Sequence, residues 1–164
     1  MLRREAGGII RGRMTLALES PAFVSGGPLP ARCAADTSNR SPPLRIRGAP
    51  AGTRSFALIV EDPDAPERTW THWLAWNLGA ERREIPEAVG PDAFPQGLND
   101  YGQVGWGGPK PPRGDGAHRY LFQLFALDVL LNLPQGATRE ALAGRLHGHV
   151  LAQASLTGKA WRSR

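Results

Sequence analysis

The chain has 164 residues, of which 41% are hydrophobic and 21% are charged, and its formal net charge is +5. This apolar content excludes wholesale disorder, and the length suits one folded domain, which we place at residues 14–164. Glycine and proline are frequent, at 20 and 15 residues, and follow no repeat. The composition therefore favours a mostly β protein rich in turns over a helix bundle.

Positive charge is concentrated at the N-terminus. Residues 1–13 hold four Arg and one Glu, a net charge of +3, which leaves +2 for the other 151 residues. A nucleic-acid-binding surface is therefore not expected. No periodic pattern ties residues 1–13 to a core, so we interpret them as a disordered basic arm or a mis-called start.

The apolar segments and the cysteine content indicate the class of protein. No apolar run reaches the roughly 18–20 residues of a membrane helix, so we expect no integral membrane segment. The N-terminus lacks the apolar core of a secretory signal. Since Cys33 is the only cysteine, an internal disulfide and a multi-cysteine zinc site are excluded, and we expect a cytoplasmic protein.

Strand patterns alternate with turn-forming segments along the chain. Short apolar or alternating runs predict strands at residues 15–19, 55–61, 72–78 and 119–127, with a short closing strand at 159–162. Between them, residues 31–54 and 79–118 lack periodicity. A loop as long as the second is usually functional or disordered.

One helix is predicted, from Thr138 to about Gln153. Thr138 is a suitable N-cap, and three apolar residues recur every four positions, at Leu142, Leu146 and Val150. Gly144 weakens such a helix by about 1 kcal/mol relative to Ala, which suggests close packing on a flat surface. We therefore expect a β-sandwich or antiparallel sheet with a late helix packed on it.

Three clusters of polar, Gly and Pro residues stand at the ends of predicted strands, where sites are commonly built. They are residues 62–66 (DPDAP), 70–73 (WTHW) and 107–114 (GGPKPPRG), the last followed by 118–120 (HRY). Each cluster alone is more often a turn, a connector or a packed core residue than a binding site.

Taken together, the clusters suit an anion. His72 and His118 can become cationic near neutral pH, and a carboxylate such as Asp62 would favour that form. Lys110 could add charge, and backbone N–H groups in a Gly-rich turn can form an anion nest. Trp70 and Tyr120 could form aromatic walls that accept an ammonium group. The expected ligand is a phosphate or carboxylate, with or without an attached amine.

Other chemistries have less support in the sequence. A metal site built from Asp62, His72 and His118 is conceivable, but no local ligand spacing supports it. His147 and His149 are separated by two positions, so they face different sides of a regular helix and cannot both reach one ligand. Phosphate-loop, dinucleotide and zinc-protease motifs are missing, so we expect neither a cofactor nor a bound metal.

Five segments in one order carry a family resemblance. They are residues 41–44 (SPPL), 55–66 (SFALIVEDPDAP), 71–77 (THWLAWN), 97–114 (GLNDYGQVGWGGPKPPRG) and 118–128 (HRYLFQLFALD). In this order they resemble the phosphatidylethanolamine-binding protein family, above all its bacterial and archaeal Raf kinase inhibitor-like branch. The likeness continues through the predicted C-terminal helix to Gly158. The likeness covers roughly residues 15–162. Any single segment is weak, whereas the ordered set is specific.

The resemblance implies a Greek-key β-sandwich with a C-terminal helix and a small pocket for anions such as phosphate or phosphorylated head groups. By position, the polar centre of that pocket would be Asp62, His72, His118 and Tyr120. Its remaining lining would be Pro66, Trp70, Gly108, Lys110 and Pro111. The chain departs from the branch at Lys110, where Cys is common, and we expect this lysine side chain to point to water.

Two functional hypotheses follow. The first is a non-catalytic binder of a small anionic or phosphorylated ligand, because proteins of this family are mostly described as binders and regulators. A kinase or protease partner and a homodimer are compatible with it. Binding should then be tighter below about pH 6.5, where His72 and His118 protonate. The alternative is a hydrolase of a phosphorylated or acyl substrate, with His72 or His118 as general base and Asp62 orienting it.

Overall fold

The computed structural model describes residues 15–164, so the arm expected at residues 1–13 lies outside the described residues. Within these residues, eight strands and one α-helix, α1, make up the regular structure, with a short 3-10 helix at Ala31–Cys33. The strands are β1 (Ala17–Glu19), β2 (Gly27–Pro28), β3 (Leu44–Arg47), β4 (Ser55–Asp62), β5 (Trp70–Gly79), β6 (Glu84–Ile85), β7 (His118–Leu127) and β8 (Val150–Ala160); α1 is Arg139–Leu146. No helix within residues 15–164 is long and apolar enough to cross a bilayer.

The strands form two sheets, as predicted. The larger has the order β2-β8-β7-β4-β5, and the smaller has the order β1-β3-β6. All pairings are antiparallel except the two-residue pairing of β2 with β8. The central strand of the larger sheet is β7, and β4 lies between it and β5.

Both faces of β4 are buried, which explains its unbroken apolar run. Phe56, Leu58 and Val60 face the other sheet and pack in the main core, together with residues such as Leu44 and Ile46 of β3. The alternate residues of β4 belong to a second cluster, which the helix completes through its two buried leucines. That cluster contains Ala57, Ile59, Leu74, Trp76, Leu127, Leu131, Leu142 and Leu146. The predicted arrangement of two sheets with a packed helix is therefore confirmed.

The predicted extent of the helix is wrong. Thr138 is the N-cap, as expected, and its hydroxyl accepts a hydrogen bond from the Ala141 N–H at 3.1 Å. The helix ends at Leu146, and Gly148 has a φ of +82°, a left-handed conformation that stops the helix. Val150 is 42% exposed and begins β8 instead of continuing the stripe.

The chain after the helix is a long strand, because it completes the larger sheet. β8 pairs with β7 from His118 opposite Ala160 to Leu127 opposite Val150. The short strand expected at 159–162 is the last part of this element. Gly144 also differs from expectation, since a Cβ added there would meet nothing within 4 Å. The glycine is therefore not required for close packing.

The long segment after β5 is mostly irregular, as predicted, and it folds back along β5. The Gly97 N–H donates to the Leu74 carbonyl at 2.9 Å, and the Gly107 N–H donates to the His72 carbonyl at 2.9 Å. These bonds fix the Gly/Pro-rich segment beside the beginning of β5. β3 and β6 lie in segments that were expected to be irregular.

Candidate functional site

A small cavity opens at one end of the larger sheet, where strands begin and end. Its volume is about 200 Å³, below the roughly 300–1,000 Å³ of pockets for drug-sized ligands, so it suits a small group such as a phosphate. Eight of the nine predicted site residues line it: Asp62, Pro66, Trp70, His72, Lys110, Pro111, His118 and Tyr120. Ala65, Tyr101 and Pro112 complete the lining.

Strand pairing brings these residues together. Asp62 ends β4 and lies opposite Trp70, the first residue of β5. On its other side β4 pairs with the beginning of β7, where Glu61 lies opposite Leu121. Because both pairings are antiparallel, the end of β4 and the beginnings of β5 and β7 meet at the same end of the sheet. Asp62 and His118 are thereby brought into contact although 56 positions separate them.

The His118 ring lies between two carboxylates. Its Nδ1 is 2.7 Å from Asp62 Oδ2, and its Nε2 is 2.6 Å from Asp115 Oδ2. Since a carboxylate accepts hydrogen bonds, both ring nitrogens donate and the ring is an imidazolium. Burial opposes this charge, but the hydrogen bonds to Asp115 and Asp62 outweigh it and raise the pKa of His118 above its usual value.

His72 has the opposite electrostatic environment. Its Nδ1 donates to the Gly107 carbonyl at 2.6 Å, and the ring packs edge-on against Tyr120 and Tyr101, with centroids 5.1 and 5.8 Å away. Burial lowers the pKa of His72, despite the hydrogen bond to Gly107 and the nearby carboxylates. The environment therefore favours the expected charge on His118 and disfavours it on His72.

The DPDAP turn is fixed by its own carboxylates. Asp62 Oδ1 accepts from the Asp64 N–H at 2.8 Å, an Asx turn. Asp64 in turn accepts from the Arg119 N–H at 2.9 Å and from both ends of its guanidinium fork at 3.0 and 2.9 Å. These Arg119 hydrogen bonds lower the pKa of Asp64 to about 2. Arg119 thus anchors the turn that carries Asp62.

Two tyrosines supply hydroxyl groups to the wall. Burial, and then the charge of Asp62, raises the pKa of Tyr120, so its hydroxyl remains a donor at all physiological pH values. The same two causes raise the pKa of Tyr101 to about 12, and its hydroxyl donates to the Gly108 carbonyl at 2.7 Å. Sequence reasoning missed Tyr101. Its only signal was an aromatic residue inside an otherwise aperiodic loop.

Gly108 does not line the cavity, unlike the other predicted site residues. Its N–H donates to Asn39 Oδ1 at 2.8 Å, so that donor is already used. A Cβ at this position would collide with the Cys33 carbonyl oxygen, which is why the chain needs glycine here. Lys110 is exposed, as expected, and lies on the cavity rim, with no salt-bridge partner among residues 15–164.

The arrangement limits the chemistry that the cavity can perform. Both nitrogens of His118 are engaged, so this ring is not poised to accept a proton as a general base. No Ser, Thr or Cys is among the described residues that line the cavity. The buried Cys33 thiol has its pKa raised to about 11 by desolvation, which disfavours a thiolate. Within residues 15–164, no group of three or more His, Cys, Asp or Glu side chains could hold a metal ion.

Comparison with known proteins gives one family. A family model described as phosphatidylethanolamine-binding protein matches residues 19–161. A UPF0098 protein of Methanothermobacter thermautotrophicus is 43% identical over 146 residues, which cover 86% of this chain and 95% of that protein.

Two solved structures are similar over the same part of the chain. A phosphatidylethanolamine-binding protein homologue of Chlamydia trachomatis superposes with a TM-score of 0.85 at 36% identity and covers 91% of this chain and 99% of its own. YbcL of E. coli, described as a member of the mammalian phosphatidylethanolamine-binding protein family, superposes with a TM-score of 0.84 at 30% identity, with the same coverage of 91% and 99%.

Proposed function

Because the chain belongs to the phosphatidylethanolamine-binding protein family, we propose that it is a non-catalytic binding protein for small anionic or phosphorylated ligands. One observation carries the proposal: a buried imidazolium, His118, forms part of the wall of a cavity of about 200 Å³. Asp62 holds the ring from behind and stabilises its charge.

The ligand oxygens would meet three donors in this cavity. Once the exposed Asp115 carboxylate leaves it, His118 Nε2–H would give a charge-assisted hydrogen bond, typically worth about 1.5–3 kcal/mol. The Tyr120 hydroxyl stays protonated and can donate a second. Lys110 on the rim adds a mobile positive charge, while Trp70 and Pro66 cover the apolar part of an attached group.

The absence of a nucleophile among the described lining residues favours binding over hydrolysis. In the alternative hydrolase, His72 would be the remaining base candidate, since its Nδ1 donates to Gly107 and only Nε2 can accept a proton. Turnover of phosphate or acyl esters that is lost in His72→Gln would favour the hydrolase. We expect no turnover by either protein.

Calorimetry with sulfate and phosphoethanolamine tests the binding proposal. Sulfate stays a dianion from pH 5 to 9, so its pH profile reports only the protein. We expect a constant affinity at low pH and a loss of about tenfold per unit above the raised pKa of His118, because the imidazolium is needed. Tighter sulfate binding at high pH would contradict recognition by the His118 imidazolium.

Two variants distinguish an effect at the cavity from an effect of losing any histidine charge on the protein. His118→Asn removes the charge but can still donate to Asp62, and sulfate affinity should fall at least tenfold. His149→Asn is the matched control, because His149 pairs with Asp128 at 2.8 Å outside the cavity. Unchanged affinity in His118→Asn, or an equal loss in both variants, would remove His118 from the site.

We further propose that the ligand state of the cavity governs a protein partner, a kinase or a protease. The resemblance to the Raf kinase inhibitor-like branch supports this. A partner that is retained by the free protein and released by saturating phosphoethanolamine, but not released from His118→Asn, would support it. Retention that does not depend on the ligand would contradict it.

A further inference from the structure

We propose that the Asp115 carboxylate is an internal occupant of the anion position on His118, which an external ligand must displace before it can bind. This inference rests on the proposed function, since it concerns the same nitrogen, His118 Nε2. It adds a specificity-determining residue that lies outside the five ordered segments of the family resemblance.

The two carboxylates on His118 differ in how firmly they are held. The Asp62 side chain is 5% exposed, and its second oxygen accepts the Asp64 N–H, so it is fixed in the protein interior. The Asp115 side chain is 44% exposed and reaches His118 Nε2 at 2.6 Å from the outside. Within the described chain, the Asp115 side chain has no other polar partner.

The Asp115 side chain can withdraw without unpacking the core. Residues 112–117 are all exposed. Gly114 and Gly116 flank Asp115 and have φ values of +76° and +88°, which glycine adopts freely. The Gly114 N–H donates to the Arg162 carbonyl at 3.0 Å and holds the loop backbone, whereas a Cβ at Gly116 would meet nothing within 4 Å. Withdrawal is therefore a rotation of the exposed Asp115 side chain, which costs its hydrogen bond to His118 and little packing.

The charges around His118 show why the position must be vacated. Asp62 on β4, Asp115 on the loop and the His118 cation on β7 sum to a net charge of −1, which repels an anion. Burial disfavours a charge on His72 of β5, the Tyr120 hydroxyl is uncharged, and the charge of Asp64 is balanced by Arg119. Lys110 on the rim is the remaining positive group among the described lining residues.

Withdrawal of Asp115 changes both the charge and the hydrogen bonding. The Asp62–His118 pair becomes neutral overall, and Nε2–H becomes a free donor. An anion that binds only this open state has its affinity reduced by the fraction of molecules that are open. The reduction should be roughly three- to tenfold, the range expected for a partly exposed charge-assisted hydrogen bond.

The test compares Asp115→Asn with Asp128→Asn. Both variants raise the net charge by one and remove the carboxylate partner of a histidine, and the two side chains are similarly exposed, at 44% and 46%. NMR titration of the His118 ring with sulfate and with formate gives both affinities. We expect Asp115→Asn to bind both anions roughly three- to tenfold more tightly. Asp128→Asn should match the wild type.

Sulfate and formate together distinguish displacement of Asp115 from repulsion by its charge at a distance. Displacement at Nε2 strengthens sulfate and formate by the same factor, whereas a charge acting only at a distance gives the dianion twice the free energy of the monoanion. A gain for sulfate that is the square of the gain for formate, or no gain, would overturn the inference while the proposed function stands. If neither the wild type nor Asp115→Asn binds sulfate, both this inference and the proposed function are overturned. Asp115→Ser, which removes the carboxylate from an exposed position, should reproduce the gain.

Discussion

Two histidines line one cavity, and their surroundings give them different charges. His118 donates to carboxylates from both nitrogens, whereas His72 donates to a backbone carbonyl inside a wall of aromatic rings. Residue type alone predicts neither state, because the pKa depends on which groups the fold brings against each ring. The surroundings therefore favour an imidazolium at His118 alone, and the proposed anion recognition would depend on this residue.

Folding stability should report this charge. The pKa of His118 is higher in the folded protein than in the unfolded chain, so its contribution is fully present below about pH 6.5 and is lost as pH rises through the folded value. His72 acts in the opposite sense, since its lowered pKa makes protonation below about pH 6.5 destabilising.

Urea unfolding of the wild type and His118→Asn at pH 6 and pH 9 isolates the His118 contribution, because His72 is common to both. The free-energy difference between the two proteins should be larger at pH 6 than at pH 9. A difference that is equal at both pH values, or larger at pH 9, would contradict the imidazolium assignment.

Sequence reasoning identified the residues that converge but not all of their contacts. Asp62, His72, His118 and Tyr120 each stand next to a strand end, and this position is visible in the sequence. Asp115 and Tyr101 lie in aperiodic loops, where contacts depend on how the loop folds against the sheet. Gly108 was predicted as a lining residue only through its position in the family resemblance. Asn39, which is distant in sequence, occupies that donor.

At the scale of elements, the region after Thr138 was the hardest to predict. Leu142, Leu146 and Val150 share a spacing of four residues, but only the first two lie on the helix. An alternating pattern of inward residues also runs through Ala152, Ala154, Leu156 and Gly158. Because three of these four residues are Ala or Gly, that pattern gives a weak strand signal. The pairing with β7, which no local pattern contains, decides that the segment is a strand.

Two glycines test the observed end of the helix. Gly144 lies inside α1 with open space where a Cβ would be, so Gly144→Ala should stabilise the protein by about 0.5–1 kcal/mol. Gly148 has a φ of +82°, so Gly148→Ala should be destabilising by about 1 kcal/mol. Thermal and urea unfolding of both variants measures whether each substitution raises or lowers the free energy of unfolding. Stabilisation by both substitutions would indicate that the helix continues through Gly148.

At the scale of the whole molecule, the cavity exists because the termini of three strands meet at one end of the sheet. A long irregular segment closes the cavity. β4, β5 and β7 supply the polar residues on a rigid, fully packed sheet. The segment after β5 supplies Tyr101 and the Gly/Pro-rich rim, and hydrogen bonds to the β5 backbone hold it in place. Buried groups come from the strands and exposed ones, Lys110 and Asp115, from loops. A buried cation with an exposed rim is a suitable arrangement for the proposed binding of a small anion.

The order of the motifs was sufficient to predict the two-sheet fold and the strand ends that form the site, since those depend on patterns spread over most of the chain. The charge balance of the cavity could not be predicted, because it depends on contacts between a strand and a loop. His118 with Asp115 is the decisive example. The two residues are three positions apart, but the contact exists only because a turn between two left-handed glycines brings the carboxylate back to the ring.

The most direct measurement is a crystal structure of the protein at pH 6 soaked in selenate, a tetrahedral dianion whose anomalous signal locates it without ambiguity. We expect a single strong peak in the cavity, within hydrogen-bond distance of His118 Nε2 and the Tyr120 hydroxyl, with the Asp115 side chain withdrawn. Peaks found only at exposed arginines, with the cavity empty at saturating selenate, would contradict an anion site at His118.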